Sequence, residues 1–251
     1  MTEEVGAGRS RGSREAYRAL AEAQKGRARS SPAYSILVNR PLGRVLAVVA
    51  YRGGLTPNQV SMVSILFSVL GMVGLLALPP SGGSAIVVTL GLVLGYAWDS
   101  ADGQLARLLG RGSPQGEWLD HVLDSFKNVA LHLVVMLAAF RWWWPEVGGW
   151  LLVPIVFAVT ATVSFAAMLL NDLLRRGQPR PPRRDGSSVF TWLALPTDYG
   201  LVCWVFVLWG LPLVFQVAYG ALAACSLAFC GLATLKWFRD MGRVPVARRP
   251  A

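Results

Sequence analysis

Five of the chain's fourteen acidic residues fall in one window: Asp99, Asp102, Glu117, Asp120 and Asp124. Strongly apolar runs flank that window on both sides. Carboxylates beside membrane helices are costly, so they occur where they are paired or metal-bound and where they do work. On a helix, Asp99 and Asp102 share a face at i, i+3, while Gly116, Asp120 and Asp124 line one at i, i+4, i+8. Glu117, His121 and Asp124 form a neighbouring row. The connection of about ten residues between the two groups lets the helices run antiparallel, and four aspartates then converge. Unpaired, they would repel and resist ionisation; divalent cations remove that problem. Oxygen-only ligands favour Mg²⁺, Mn²⁺ or Ca²⁺ over zinc. Two such ions sharing carboxylates suit phosphoryl or phosphodiester chemistry. The small residues Gly103, Ala106 and Gly116 let a flat base or a phosphate approach the backbone, and Arg107 adds a planar fork of phosphate donors.

The elements that must position these groups are membrane helices. The chain is 54% hydrophobic and only 15% charged, with mean hydropathy +0.46, a profile of a polytopic membrane protein. Six apolar runs, at about 57–79, 84–106, 117–140, 149–173, 190–211 and 214–236, each come near the ~20 residues a bilayer crossing needs. Thr56 and Pro57 suit a helix start before the first run. Residues 41–52 read as an amphipathic interfacial helix with its arginines toward headgroups. A short helix over 13–25 with Ser13 as N-cap is expected in the polar tail. The fold class is therefore all-α, six transmembrane helices preceded by an interfacial helix. The expected organisation is a polar, partly disordered tail over 1–33, a membrane domain over 34–238 and a basic tail over 239–251.

The net charge of +10 raises a nucleic-acid reading. The cations lie in the tails and in loops between apolar runs, with no separate basic domain, so topology-setting and lipid-facing roles account for them and no nucleic-acid partner is expected. Nearly every Lys and Arg falls on one side if both termini are inside the cell, which puts the acidic window at the cytoplasmic face of the cell membrane. Arg141-Trp142-Trp143-Trp144 reads as an interfacial tryptophan belt, and Cys203, Cys225 and Cys230 as core residues.

The window reads D-x2-D-G-x2-A-R-x8-G-x3-D-x3-D, and every fixed position of that pattern is present. It resembles the signature of the CDP-alcohol phosphotransferase (CDP-alcohol phosphatidyltransferase) family, and the likeness extends over roughly 34–238. The resemblance implies an enzyme of phospholipid biosynthesis that moves a substituted phosphate from a CDP-alcohol to an acceptor hydroxyl, lipid or polar alcohol, and releases CMP. By position, Asp99, Asp102, Asp120 and Asp124 would hold two Mg²⁺ or Mn²⁺ ions. Gly103, Ala106, Arg107 and Gly116 would contact the CDP portion, and Asn58 matches the family's Pro-Asn element. Asp124 is also a candidate general base, although a metal-bound carboxylate is a poor one. Glu117 and His121 resemble the choline and ethanolamine phosphotransferase branch, where such a pair activates the acceptor hydroxyl. An imidazole can take a proton at neutral pH, and Glu117, one turn earlier, could orient it. The family also implies a homodimer among membrane lipids.

Phosphorylated acceptors would need cations near the metals, for which Lys127, Arg175 and Arg176 are candidates. Lys127 is expected to pair with Asp124 or Asp120. Asn171, Asp172, Asp198 and Tyr199 are candidate acceptor-pocket residues. A cation transporter using the same carboxylates, or an inactive structural relative, is the rival reading.

Overall fold

The computed structural model describes residues 12–24, 32–175, 192 and 194–242. Among these, eight α-helices and no strand are found: α1 Ser13–Gln24, α2 Arg40–Arg52, α3 Pro57–Ala77, α4 Gly82–Leu109, α5 Pro114–Trp143, α6 Leu152–Leu174, α7 Tyr199–Val205 and α8 Pro212–Met241. Arg176, the rest of the connection up to residue 191 and much of both tails lie outside the described residues. The molecule is an all-α polytopic membrane protein.

The three helices that build the site start on side-chain caps. Thr56 and Gln59 form a reciprocal capping box ahead of α3, with Pro57 in the first turn. Ser81 and Ser84 do the same for α4. Five helices, α3, α4, α5, α8 and the 148–174 segment containing α6, are long and apolar enough to cross a membrane. On α3, Met62, Leu66, Leu70 and Val73 stay exposed along one stripe, the face a lipid tail would cover.

The run read as a fifth span behaves differently. Over its described part, 194–211, it is not one helix. A 3-10 turn, Leu195–Thr197, contains Pro196, and the Asp198 side chain then caps a new helix at Gly200 N. The apolar helix Tyr199–Leu208 that follows is too short to cross alone. It still carries the chain along α4. Asp198 meets Tyr96 at one end, and Gly210 packs against the Ser81 and Gly82 backbone at the other. Hydropathy counted composition and missed this break.

Helices α3 and α4 touch through small residues, as bilayer-embedded helices do. A Cβ on Gly91 would come within 2.9 Å of Gly71 Cα, and Ser64 Oγ donates to Gly95 O at 2.8 Å. This contact fixes α4, whose far end carries the acidic residues.

At the opposite end of the bundle an aromatic core joins Trp143, Trp209, Phe215, Tyr219 and Phe157. Here the tryptophan belt is corrected. Trp143 is buried against Trp209 and Phe215, Trp142 Nε1 donates to Leu75 O at 3.0 Å, and only Trp144 of the three is exposed. The helix runs on through Trp143, so successive tryptophans face different neighbours.

A second core joins α1, α2 and the C-terminal part of α4 through Ala16, Leu20, Ala47, Tyr51 and Leu105. Arg44 departs from the headgroup-facing expectation: its guanidinium lies over the Tyr17 ring of α1. Ser13 is inside α1 and caps nothing; its hydroxyl is buried without a partner. Cys203 and Cys230 are buried as expected, but Cys225 is exposed on α8.

Candidate active site

The last turns of α4 bear Asp99, Asp102, Gly103, Ala106 and Arg107. Gly110, left-handed at φ +63°, ends that helix, a conformation glycine adopts without a Cβ penalty. Ser113 then caps α5 by accepting from Gly116 N at 3.1 Å, and Pro114 opens the first turn. The tight reversal sets Glu117, Asp120, His121 and Asp124 opposite the α4 carboxylates.

Asp99, Asp102 and Asp120 each offer one carboxylate oxygen, all within 4.8 Å of one another. Asp120, His121 and Asp124 offer a second set at the same spacing, so Asp120 belongs to both. Asp102 is buried and doubly held. One oxygen accepts from Ser61 Oγ at 2.6 Å, and the other accepts from the Gly103 backbone N–H. Lys127, also buried, donates to Asp99 and to Asp124, the latter at 2.8 Å. The expected Asp124 partner is found; the second partner is Asp99 rather than Asp120.

Beside the cluster opens a cavity of about 560 Å³. Asn58, Gly103, Ala106, Arg107 and Gly116, expected as CDP contacts, all line it, together with Asp102, Glu117 and Asp120. A Cβ on Gly116 would stand 3.3 Å from both Asn58 Oδ1 and Ser113 Oγ, so the space between the starts of α3 and α5 depends on glycine there. At Gly103 a Cβ would meet only Arg107, whose Nη1 lies 3.4 Å away; the guanidinium folds back over that glycine.

A family model described as CDP-alcohol phosphatidyltransferase matches residues 54–231. The chain belongs to that family. No curated protein matches it. Membership brings a transferase class that takes a CDP-alcohol and an alcohol acceptor and uses a divalent metal. The acidic cluster of this family member is able to hold such an ion.

The remaining candidates divide. Glu117 Oε1 stands 3.9 Å from His121 Nε2, and Asp120 Oδ2 stands 4.0 Å from His121 Nδ1. Both are close, and both are longer than a hydrogen bond. The imidazole also presents an edge-to-face contact to Phe165 of α6 at 6.2 Å. Arg175, Asn171 and Asp172 line a separate hollow of about 260 Å³ with Trp237 and Asp240. Arg175 Nη2 faces Asp240 there at 3.9 Å, so the basic pocket considered for Arg175 is not at the acidic cluster. Asp198 accepts from Ser35 N and Gly200 N, both at 2.9 Å, which makes it a structural cap rather than a pocket residue. Tyr199 keeps a buried hydroxyl without a hydrogen-bond partner.

The sequence reading did not assign Ser61, Ser113, Phe165 or the cavity-lining Arg111 to the site. Ser61 had a signal in its spacing from Asn58 along the polar start of α3. Phe165, in the middle of an apolar run, had none.

Proposed function

We propose that this family member is an integral membrane CDP-alcohol phosphotransferase acting in phospholipid synthesis. The phosphorus–oxygen bond to the CMP leaving group breaks, a bond from phosphorus to the acceptor oxygen forms, and the acceptor proton passes to the protein. The observation that carries the reading is the convergence of Asp99, Asp102 and Asp120 within 4.8 Å beside the 560 Å³ cavity that Asn58, Gly103, Ala106, Arg107 and Gly116 line. An all-oxygen donor set fits Mg²⁺ or Mn²⁺. Asp99, Asp102 and Asp120 would hold the ion, with Asp124 next to them. Bound there, the ion supplies charge neutralisation for a diphosphate and its departing oxygen.

The chain's own residues do the rest. Arg107 offers its fork of donors to phosphate, and Gly103 and Gly116 keep bulk out of the nucleotide's path. His121 takes the acceptor proton, with Glu117 closing from 3.9 Å to orient the ring, since catalytic contacts often tighten only when substrate is bound. Asp124 is already engaged: its carboxylate is paired with the Lys127 ammonium. The same pairing removes Lys127 as a ready ligand for a phosphorylated acceptor.

The transporter alternative draws less support. Its carboxylates would sit on broken helices, whereas α4 and α5 run unbroken through all four aspartates. The distribution of Lys and Arg supports a cytoplasmic site with both termini inside. We further propose that 34–238 is the catalytic membrane domain between two tails, and that the family's homodimer holds here.

The test offers the purified protein CDP-diacylglycerol and CDP-linked headgroups, each with a panel of lipid and polar acceptors, and follows CMP. Metal-dependent release with one donor class is the expected result. No release from any donor with Mg²⁺ or Mn²⁺, or release indifferent to chelator, would overturn the reading.

A further inference from the structure

Lys127 is the feature that the family chemistry leaves unexplained. Its side chain is 4% exposed and ion-paired to one carboxylate from each of the two helices that build the cradle, Asp99 on α4 and Asp124 on α5. An ammonium is a compact point charge with three donors, able to join two carboxylates as a cation does. In a two-metal centre the ions stand about 3.5–4 Å apart and share ligands between them. A second ion here would share Asp120 with the first and draw on Asp124. Asp124 Oδ1 is already 2.8 Å from Lys127 Nζ. With Asp124 tied to the ammonium, the second set is left with one carboxylate, the shared Asp120, whereas the first keeps Asp102 and Asp120 beside Asp99. The other possible ligand is His121, and an imidazole is a poor match for a hard, oxygen-seeking ion.

We infer that Lys127 is a built-in cation that takes the place of the second metal ion, so that this chain holds one divalent ion, at Asp99, Asp102 and Asp120. The resemblance implied two ions; the ammonium ties Asp99 to Asp124 and neutralises what the second would have neutralised. Lys127 is thus a positioning residue: it sets the metal stoichiometry and the spacing of the two helices without touching substrate.

The inference rests on the metal reading of the cradle, and the experiment separates the two. Mn²⁺ is titrated into the full-length protein in detergent, and the signal of free Mn²⁺ is followed by electron paramagnetic resonance. Wild type and Lys127→Arg should bind about one tight equivalent, and Lys127→Met about two. Lys127→Gln, nearly isosteric and neutral, gives the same comparison if the methionine variant does not elute as folded protein. Two tight equivalents in wild type would overturn the inference. So would a single equivalent in a folded neutral variant, since Lys127 would then exclude nothing. A wild type that binds no Mn²⁺, or whose binding survives Asp102→Asn, instead removes the metal reading beneath it.

Discussion

The chain has two histidines, and both lie on α5, about three turns apart. His132 is 2% exposed, its Nδ1 is 2.5 Å from Tyr219 Oη, and its ring stacks on Phe157 at 4.1 Å between centroids. His121 is about a third exposed, its buried Nδ1 has no hydrogen bond, and carboxylates stand near both nitrogens. One imidazole is consumed by packing and the other is left available for chemistry. The difference comes from where along α5 each falls. The first turns meet the polar end of α4, and the later ones meet the aromatic core that α6 and α8 bring in. One helix serves as site wall and as scaffold, and residue type alone does not say which.

The largest break in that comparison is expected at the shared carboxylate. Asp120→Asn removes a charge common to both ligand sets, and metal-dependent CMP release should fall by about 100- to 1,000-fold. Full activity in that variant would remove Asp120 from the metal set. Next comes His121→Ala. The rate should fall about 100-fold, with binding of the CDP-alcohol nearly kept, because general-base loss acts on the chemical step. A fall in affinity with the rate preserved would make His121 a binding or packing residue and bring it closer to His132.

What the sequence could tell follows the same division. The Asp99–Asp124 spacing was legible because helical periodicity converts directly into shared faces, and a short turn allows little choice in how two helices meet. The Lys127–Asp124 pair was legible for that reason too, at i, i+3 on one helix. The Lys127–Asp99 pair crosses from α5 to α4, and its exact partner depended on a rotation of the helices that no local pattern encodes. The half away from the acidic cluster was less legible. Hydropathy does not distinguish a tryptophan facing lipid from one facing a neighbour, so Trp143 and Trp144 read alike although only Trp144 is exposed. Nor does it register that Pro196 and Asp198 interrupt an apolar run and restart it as a short helix. His132 carried no motif, and its role emerges only from Tyr219 and Phe157, which are distant in sequence.

The smallest expected effects test the scaffold side. His132→Ala should leave turnover per folded molecule within about twofold while costing about 2–4 kcal/mol of stability in detergent unfolding, since it empties a packed aromatic site. Tyr219→Phe is gentler still. It keeps the ring and its contacts to Phe157 and Phe215 but leaves His132 Nδ1 without its partner, a loss of about 1–2 kcal/mol. In the His132→Ala background that hydroxyl has no imidazole to bond, so the two losses should fall short of additive, and the shortfall measures the pair directly. Should Tyr219→Phe instead depress CMP release as far as His121→Ala does, the aromatic end would be coupled to the chemistry, and the two histidines could not be separated into scaffold and site.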